Sequence, residues 1–168
     1  MRKKLTYLFL LISFATFFIS CDNTDDVDGI FTKDTWKLTE IFDNNGKPIE
    51  IWNGDAEAKQ KSYTLKDTKG NFILNFTGLP DGDNISGTFS GTVAVSTISG
   101  NWNANGKKNT AAMAVEKKNN AETDVFAVKY INVLNYVYQY KGDYNTLRLY
   151  YKNDNTGEAG YLLMRSGE

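Results

Sequence analysis

Along most of this chain, apolar residues recur every second position in short runs, and each run ends in a cluster of glycine, asparagine and aspartate. That pattern is the sequence signature of half-buried β-strands joined by turns. In "TWKLTEIFD", Trp36, Leu38 and Glu40 alternate against Lys37, Thr39 and Ile41, and "DNNGKP" follows as a turn. "GDAEAKQKS" is polar and alanine-containing, which predicts one or two helical turns. "SYTLKD" and "NFILNFTG" read as strands around "DTKGN", with Phe72, Leu74 and Phe76 on one face of the second. "LPDGDN" is a further turn. "ISGTFSGTVAV", "ISGNWNANG" and "NTAAMAVEKK" continue as strands, with glycines at bends or bulges.

One segment departs from this rhythm. In "ETDVFAVKYINVLNYV", Phe126, Tyr130, Val133, Leu134 and Val137 recur at helical spacing. The spacing predicts a helix over 123–135, capped by Asn120 or Thr123, with Glu122 and Asp124 placed favourably in its first turn. Three strands close the chain: "YVYQY", "TLRLYYK" and "GYLLMRS". Many short antiparallel strands must close on themselves or hide their edges. About eight closed strands make a barrel that side chains can fill or that can hold one small ligand. The fold expected is mainly β: a single antiparallel barrel with one α-helix, spanning residues 31–168.

The beginning of the chain follows another pattern. Arg2, Lys3 and Lys4 precede an uncharged stretch of 16 residues, Leu5 to Ser20, a length suited to a cleaved export signal and short for a membrane span. Cleavage after residue 20 leaves 148 residues, enough for one domain. Removing the three basic residues of the signal from the 19 leaves 16 against 20 acidic groups, a net charge of −4. Such a balance provides no electrostatic footprint for nucleic acid.

Cys21 is the sole cysteine, so an intramolecular disulfide is excluded. Phe18-Ile19-Ser20-Cys21 resembles a bacterial lipobox, although phenylalanine stands where leucine is usual. The resemblance implies cleavage before Cys21, lipidation of its thiol and acylation of the new amino terminus. More than one acyl chain makes such an anchor stable. Asp22, Asp25, Asp26 and Asp28 then make a solvated tether over 21–30, without the ligand order of a calcium loop. An acidic stretch in this place resembles the surface-export signals of Bacteroidetes-type lipoproteins. That resemblance implies an outer-membrane protein, lipid-anchored and displayed at the cell surface.

Residues 84–166 resemble META (HslJ-like) domains. The likeness rests on the glycine-rich strand, the turn at Gly100, Trp102, Asn105 and Gly106, the helix, a tyrosine strand and a last strand ending in arginine. The usual threonine-then-cysteine element lacks its cysteine; Thr110 and Met113 stand in that region. "TWKLTEI" is similar to small Bacteroidetes lipoproteins of a lipocalin-like family of unknown function, DUF4847. Lipocalin-like barrels pack an early tryptophan beside an arginine of the last strand, and the resemblance gives those places to Trp36 and Arg165.

Candidate chemistry is sparse. There is no histidine, which removes the commonest general base and the commonest metal ligand. With Cys21 acylated, thiol catalysis and cysteine-zinc sites go too. No serine sits in S-x-x-K or G-x-S-x-G, and no loop has phosphate-binding glycine spacing. We therefore expect no enzyme activity, no metal and no cofactor. Aromatics remain. Tyr136, Tyr138 and Tyr140 are expected on one strand face, either as barrel packing or as a binding stripe. Trp52 and Trp102 lie in polar, turn-rich surroundings, as exposed contacts or as lids on the core. The expected role is a binding or scaffolding module for a protein or envelope component. The alternative is an accessory that takes a glycan or small apolar ligand at the barrel mouth.

Overall fold

The structure, a computed structural model, describes residues 25–167; Cys21 and the expected signal lie outside them. Eight antiparallel strands close into a barrel in which each strand pairs with its neighbours in sequence. They are β1 Trp36–Asp43, β2 Ile73–Asp81, β3 Asn84–Thr92, β4 Thr97–Asn105, β5 Thr110–Lys118, β6 Val137–Gly142, β7 Thr146–Asn153 and β8 Glu158–Ser166. Among the described residues three helices accompany them: α1 Val27–Thr32 before β1, α2 Ala56–Asp67 between β1 and β2, and α3 Val125–Leu134 between β5 and β6. No helix among the described residues is long and apolar enough to cross a membrane.

The barrel consists of two firmly laddered arcs, β2–β5 and β6–β7–β8–β1. At one seam β1 meets β2 only through Trp36↔Leu74 and Lys37↔Ile73, and at the other β5 meets β6 only through Thr110↔Gln139. Each seam lies where a helical connection leaves one arc and enters the next. Side chains satisfy backbone there in place of a ladder, as buried peptide groups require. At the first seam Lys37 Nζ donates to the Thr68 and Asn71 carbonyls, and Lys66 Nζ donates to Thr39 O at 2.7 Å. At the second, Asn135 Oδ1 accepts from Val115 N at 2.8 Å.

Several local expectations change. β1 is bulged between Leu38 and Glu40, so the inward face passes from Trp36 and Leu38 to Ile41, and Glu40 leaves the face assigned to it. A bulge inserts one residue and reverses the alternation beyond it. "SYTLKD" is no strand: it forms the second half of α2, whose Asp55 cap accepts from Ala58 N at 3.0 Å. The face α2 buries includes Ser62 and Lys66, so hydrophobic periodicity does not reveal it. α3 matches its expected span, but its cap is Asp124, which accepts from Phe126 N and Ala127 N, both at 3.0 Å. β2 and β3 run further into "LPDGDN" than expected, leaving Gly82 and Asp83 to make the turn. β5 is bulged at Glu116, opposite Ser99 and Gly100 of β4, and a Cβ on Gly100 would strike the Ala114 carbonyl; this glycine permits the close strand approach.

The tether also ends sooner than residue 30. Asp26 caps α1 by accepting from Gly29 N at 3.0 Å, and Val27, Ile30 and Phe31 are buried. Three apolar residues in a short span give this acidic segment enough surface to dock, which the aspartates conceal in the composition.

Candidate functional site

The barrel interior is filled by side chains and closed at both ends. At the α1 end, Phe31 stacks on Trp102 with ring centroids 4.7 Å apart and meets Phe76 and Tyr140 edge-on at 5.3 and 5.1 Å. Trp102 Nε1 donates to Thr77 O at 3.0 Å. At the opposite end, Trp52 stacks on Phe126 at 5.8 Å, and Phe126 also meets Tyr63 and Phe72; Phe72 in turn meets Tyr130. Phe72 adopts a left-handed backbone, φ 52°, a strained conformation for a bulky residue. Burial pushes the Tyr130 and Tyr140 phenols well above their ordinary range, so both stay neutral.

These positions correct the candidate contacts. Trp52 and Trp102 are 4% and 3% exposed, which makes them lids on the core and not surface contacts. In β4 the alternation Ile98, Gly100, Trp102, Ala104 faces inward as a set. Tyr136, Tyr138 and Tyr140 do not share a face. A register shift between Val137 and Gln139 places Tyr138 outside at 50% exposure and Tyr140 inside at 0%, while Tyr136 precedes the strand at 37%. β1 and β8 are neighbours, yet Trp36 and Arg165 do not pack together. Arg165 pairs in register with Lys37 and is exposed, whereas Trp36 is fully buried and donates from Nε1 to Phe31 O at 3.3 Å.

The described surface of the β6–β1 arc carries two features capable of recognition. The first is an aromatic row on the outer face. Phe42 stacks on Tyr161 at 4.8 Å, Tyr161 meets Tyr150 at 5.6 Å, and the Arg148 guanidinium lies 5.8 Å from the Tyr161 ring centre. Cross-strand register brings these residues together: Phe42↔Tyr161 and Tyr150↔Tyr161 are direct pairs. Tyr138 on β6 adds an exposed ring beside the Gln139↔Tyr150 pair. The second is a cleft of about 340 Å3 between α3 and β7–β8, lined by Lys129, Asn132, Asn135, Tyr136, Asn153 and Glu158 among others. Lys129 and Glu158 form an ion pair across it.

The β2–β5 arc is different outside. Ser86, Thr88, Asn101, Asn103 and Ala112 line an open depression of about 510 Å3.

Glu122 has a role the sequence reading missed. It lies outside α3, and its Oε1 accepts from the backbone N–H groups of Ala94, Val95 and Ser96 at 3.1, 2.9 and 2.9 Å, and from Ser96 Oγ at 2.8 Å. One carboxylate therefore holds the β3–β4 hairpin against the chain entering α3. Asp124 adds a second tie at this end: Ser62 Oγ donates to its Oδ2 at 2.7 Å and accepts from Trp52 Nε1 at 2.9 Å. An acidic pair just ahead of an apolar helix was the available signal, but it names a cap without naming the hairpin it clamps. Among the described residues, no three metal-ligating side chains converge.

Comparison with known proteins places the whole fold. A family model described as a domain of unknown function, DUF4847, matches residues 22–162. A crystal structure of a DUF4847 family protein from Bacteroides vulgatus superposes with a TM-score of 0.60 at 25% identity, covering 84% of this chain and 97% of that one. No curated protein matches.

Proposed function

The chain belongs to the DUF4847 family, and on that premise we propose that it is a non-catalytic cell-envelope lipoprotein whose barrel binds or scaffolds a protein or another envelope component. In this reading Cys21 carries the lipid, the chain is held at the outer membrane, and the barrel is displayed at the cell surface. The finer likeness to lipocalin-like and META domains belongs to the same proposal. The closed eight-stranded barrel supports it, and the separation of Trp36 from Arg165 counts against it.

The observation that carries the binding role is the filled interior. With Phe31 and Trp102 across one end and Trp52 and Phe126 across the other, recognition falls to the outside of the barrel. There, an aromatic row with hydroxyl tips and a flanking arginine has the composition that protein interfaces favour. Affinity capture from the native envelope, with wild type and a Tyr138→Ser/Tyr150→Ser variant in parallel, tests this. The variant should lose the partner the wild type retains; identical captures reject the row as the contact.

A second reading, a glycan-binding accessory, is favoured by the α3–β7–β8 cleft, where Tyr136 and Asn132 stand exposed beside the Lys129–Glu158 pair. Glycan-array binding by the domain, abolished by Tyr136→Ala, would support it. An array without binding rejects it. Trp102→Ala is no test of this site, because Trp102 lies in the core.

A further inference from the structure

We propose that the α1 end of the barrel lies against the lipid bilayer, with Leu79 and Pro80 at the contact, and that the α2–α3 end projects away from it. This rests on the reading of Cys21 as the lipidated residue.

The first described residues are tied to the barrel at its α1 end. Asp25 N donates to Gly106 O at 3.3 Å, and Asp26 Oδ2 accepts from the Tyr144 hydroxyl at 2.8 Å. Phe31 then fixes α1 under Trp102. The exit point is thus pinned at the rim formed by the β2–β3, β4–β5 and β6–β7 hairpins. These hairpins also tie to one another, since Gly106 N donates to Asp83 O at 2.8 Å. From Cys21 to Asp25 there are four residue steps in the sequence. At 3.3–3.6 Å per residue, that leash reaches at most about 14 Å.

The barrel is longer than the leash. Nine-residue strands such as β3 and β4 rise about 30 Å along their own axes, or roughly 21–25 Å along a barrel axis at the usual strand tilt. An anchored chain therefore holds the α1 rim near the lipid, while the leash does not tie the β3–β4 hairpin at the other end to it.

The rim has a group suited to lipid. Leu79, 81% exposed, is the most exposed large apolar residue among those described, and Pro80 beside it is exposed too. Register places both next to the β2–β3 turn, as Leu79↔Ser86 and Pro80↔Ile85. Tyr144, 47% exposed at the tip of the β6–β7 hairpin, is an aromatic with a polar end, the residue type that collects at membrane interfaces. Rim charges are mixed: Lys33, Lys107 and Lys108 stand among Asp81, Asp83 and Asp143, all exposed. Leash length and Leu79 set the orientation, not attraction to anionic headgroups, so it should persist at high salt.

The test uses the full-length protein matured in cells, purified with its anchor and placed in phosphatidylcholine vesicles containing nitroxide-labelled lipid. A fluorophore is attached at Leu79→Cys, at Lys107→Cys as a rim site that retains Leu79, or at Val95→Cys on the β3–β4 hairpin. Lipid quenching should be several-fold stronger at 79 and 107 than at 95, and unchanged at high salt. Inserting ten glycine and serine residues after Thr24 should shrink the difference. Equal quenching at all three positions, or stronger quenching at 95, overturns the orientation. An undiminished difference after the insertion overturns the leash argument behind it. Fatty-acid labelling of Cys21 is read separately. Acylation with equal quenching rejects only the orientation, whereas absence of acylation rejects the anchor and the orientation together.

Discussion

The two ends of the barrel are closed by similar aromatic clusters held in different ways. At the α1 end, one helix of six residues inserts Phe31 under Trp102, and side chains tie it to the barrel through the Tyr144–Asp26 and Trp36–Phe31 hydrogen bonds. At the α2–α3 end, Trp52 and Phe126 sit beneath two helices tied by Ser62, Asp124 and Glu122 to three separate parts of the chain. The first closure can open without disturbing a strand. The second cannot, because its helices also bridge the weak seams between the arcs. Similar burial thus corresponds to unequal cooperativity, and local opening should concentrate at α1.

The same substitution at both ends puts this difference to its strongest test. Phe126→Ala should cost about 3–5 kcal/mol of global stability in denaturant unfolding, the usual cost of deleting a buried phenylalanine. Phe31→Ala should cost less globally, because undocking of α1 caps the loss. Its main signature should be faster amide exchange in α1, with the strands still protected. Equal global losses would show that the plug is part of the cooperative core.

Glu122→Ala comes next, at roughly 2–3 kcal/mol, since three backbone N–H groups lose a charged acceptor. Glu122→Gln keeps an acceptor and should restore most of that, as measured by thermal unfolding. If alanine and glutamine cost the same, the clamp depends on charge and not on hydrogen bonding. Asp124→Ala should follow at about 1–2 kcal/mol, the range for a lost N-cap, and Asp124→Asn should recover the cap. Loss of the Ser62 tie should additionally shift the fluorescence of Trp52, which neither Glu122 variant contacts.

How far the sequence carried differs between the same regions. The strands of the two arcs were legible because most keep a period of two between turn residues, and α3 because its apolar spacing is helical. The bulge in β1 was not legible: "WKLTEIF" alternates correctly until one inserted residue reverses the face. α2 was half lost, because Ser62 and Lys66 are buried through hydrogen bonds to Trp52 and Thr39 and so look like surface. The plug was hidden by its aspartates, and no local pattern states that Phe31 will meet Trp102 across 71 residues of chain. Candidate contacts failed for a related reason. Turn-rich surroundings suggested that Trp52 and Trp102 were exposed, although the inward set Ile98, Gly100, Trp102 and Ala104 was already readable as alternation. Outside the barrel, the row of Phe42, Tyr161, Tyr150 and Tyr138 depends on register across four strands, which no single stretch contains.

The finest probe of the weaker end is pH. The Gly29 N–H, and after it the Tyr144 hydroxyl, hold the Asp26 carboxyl below its ordinary value. A carboxyl depressed on folding contributes stability that is present above its unfolded pKa, about 3.9, and lost as pH falls through the lower folded value. Asp143, in the neighbouring hairpin, is depressed by the Asn145 and Thr146 N–H groups and titrates in the same direction. Acidification below about pH 4 should therefore loosen α1 and its hairpin partner. The fluorescence of Trp102, uncovered as Phe31 leaves, should report the release. Tyr144→Phe removes one of the two hydrogen bonds that depress Asp26, so its folded pKa rises and release should begin at higher pH. Asp26→Asn should abolish the contribution of this residue and leave only the hairpin's. If Tyr144→Phe releases at the same pH as wild type, the cap at Gly29 alone governs the pH response of the plug, and the Tyr144 hydroxyl contributes nothing to it.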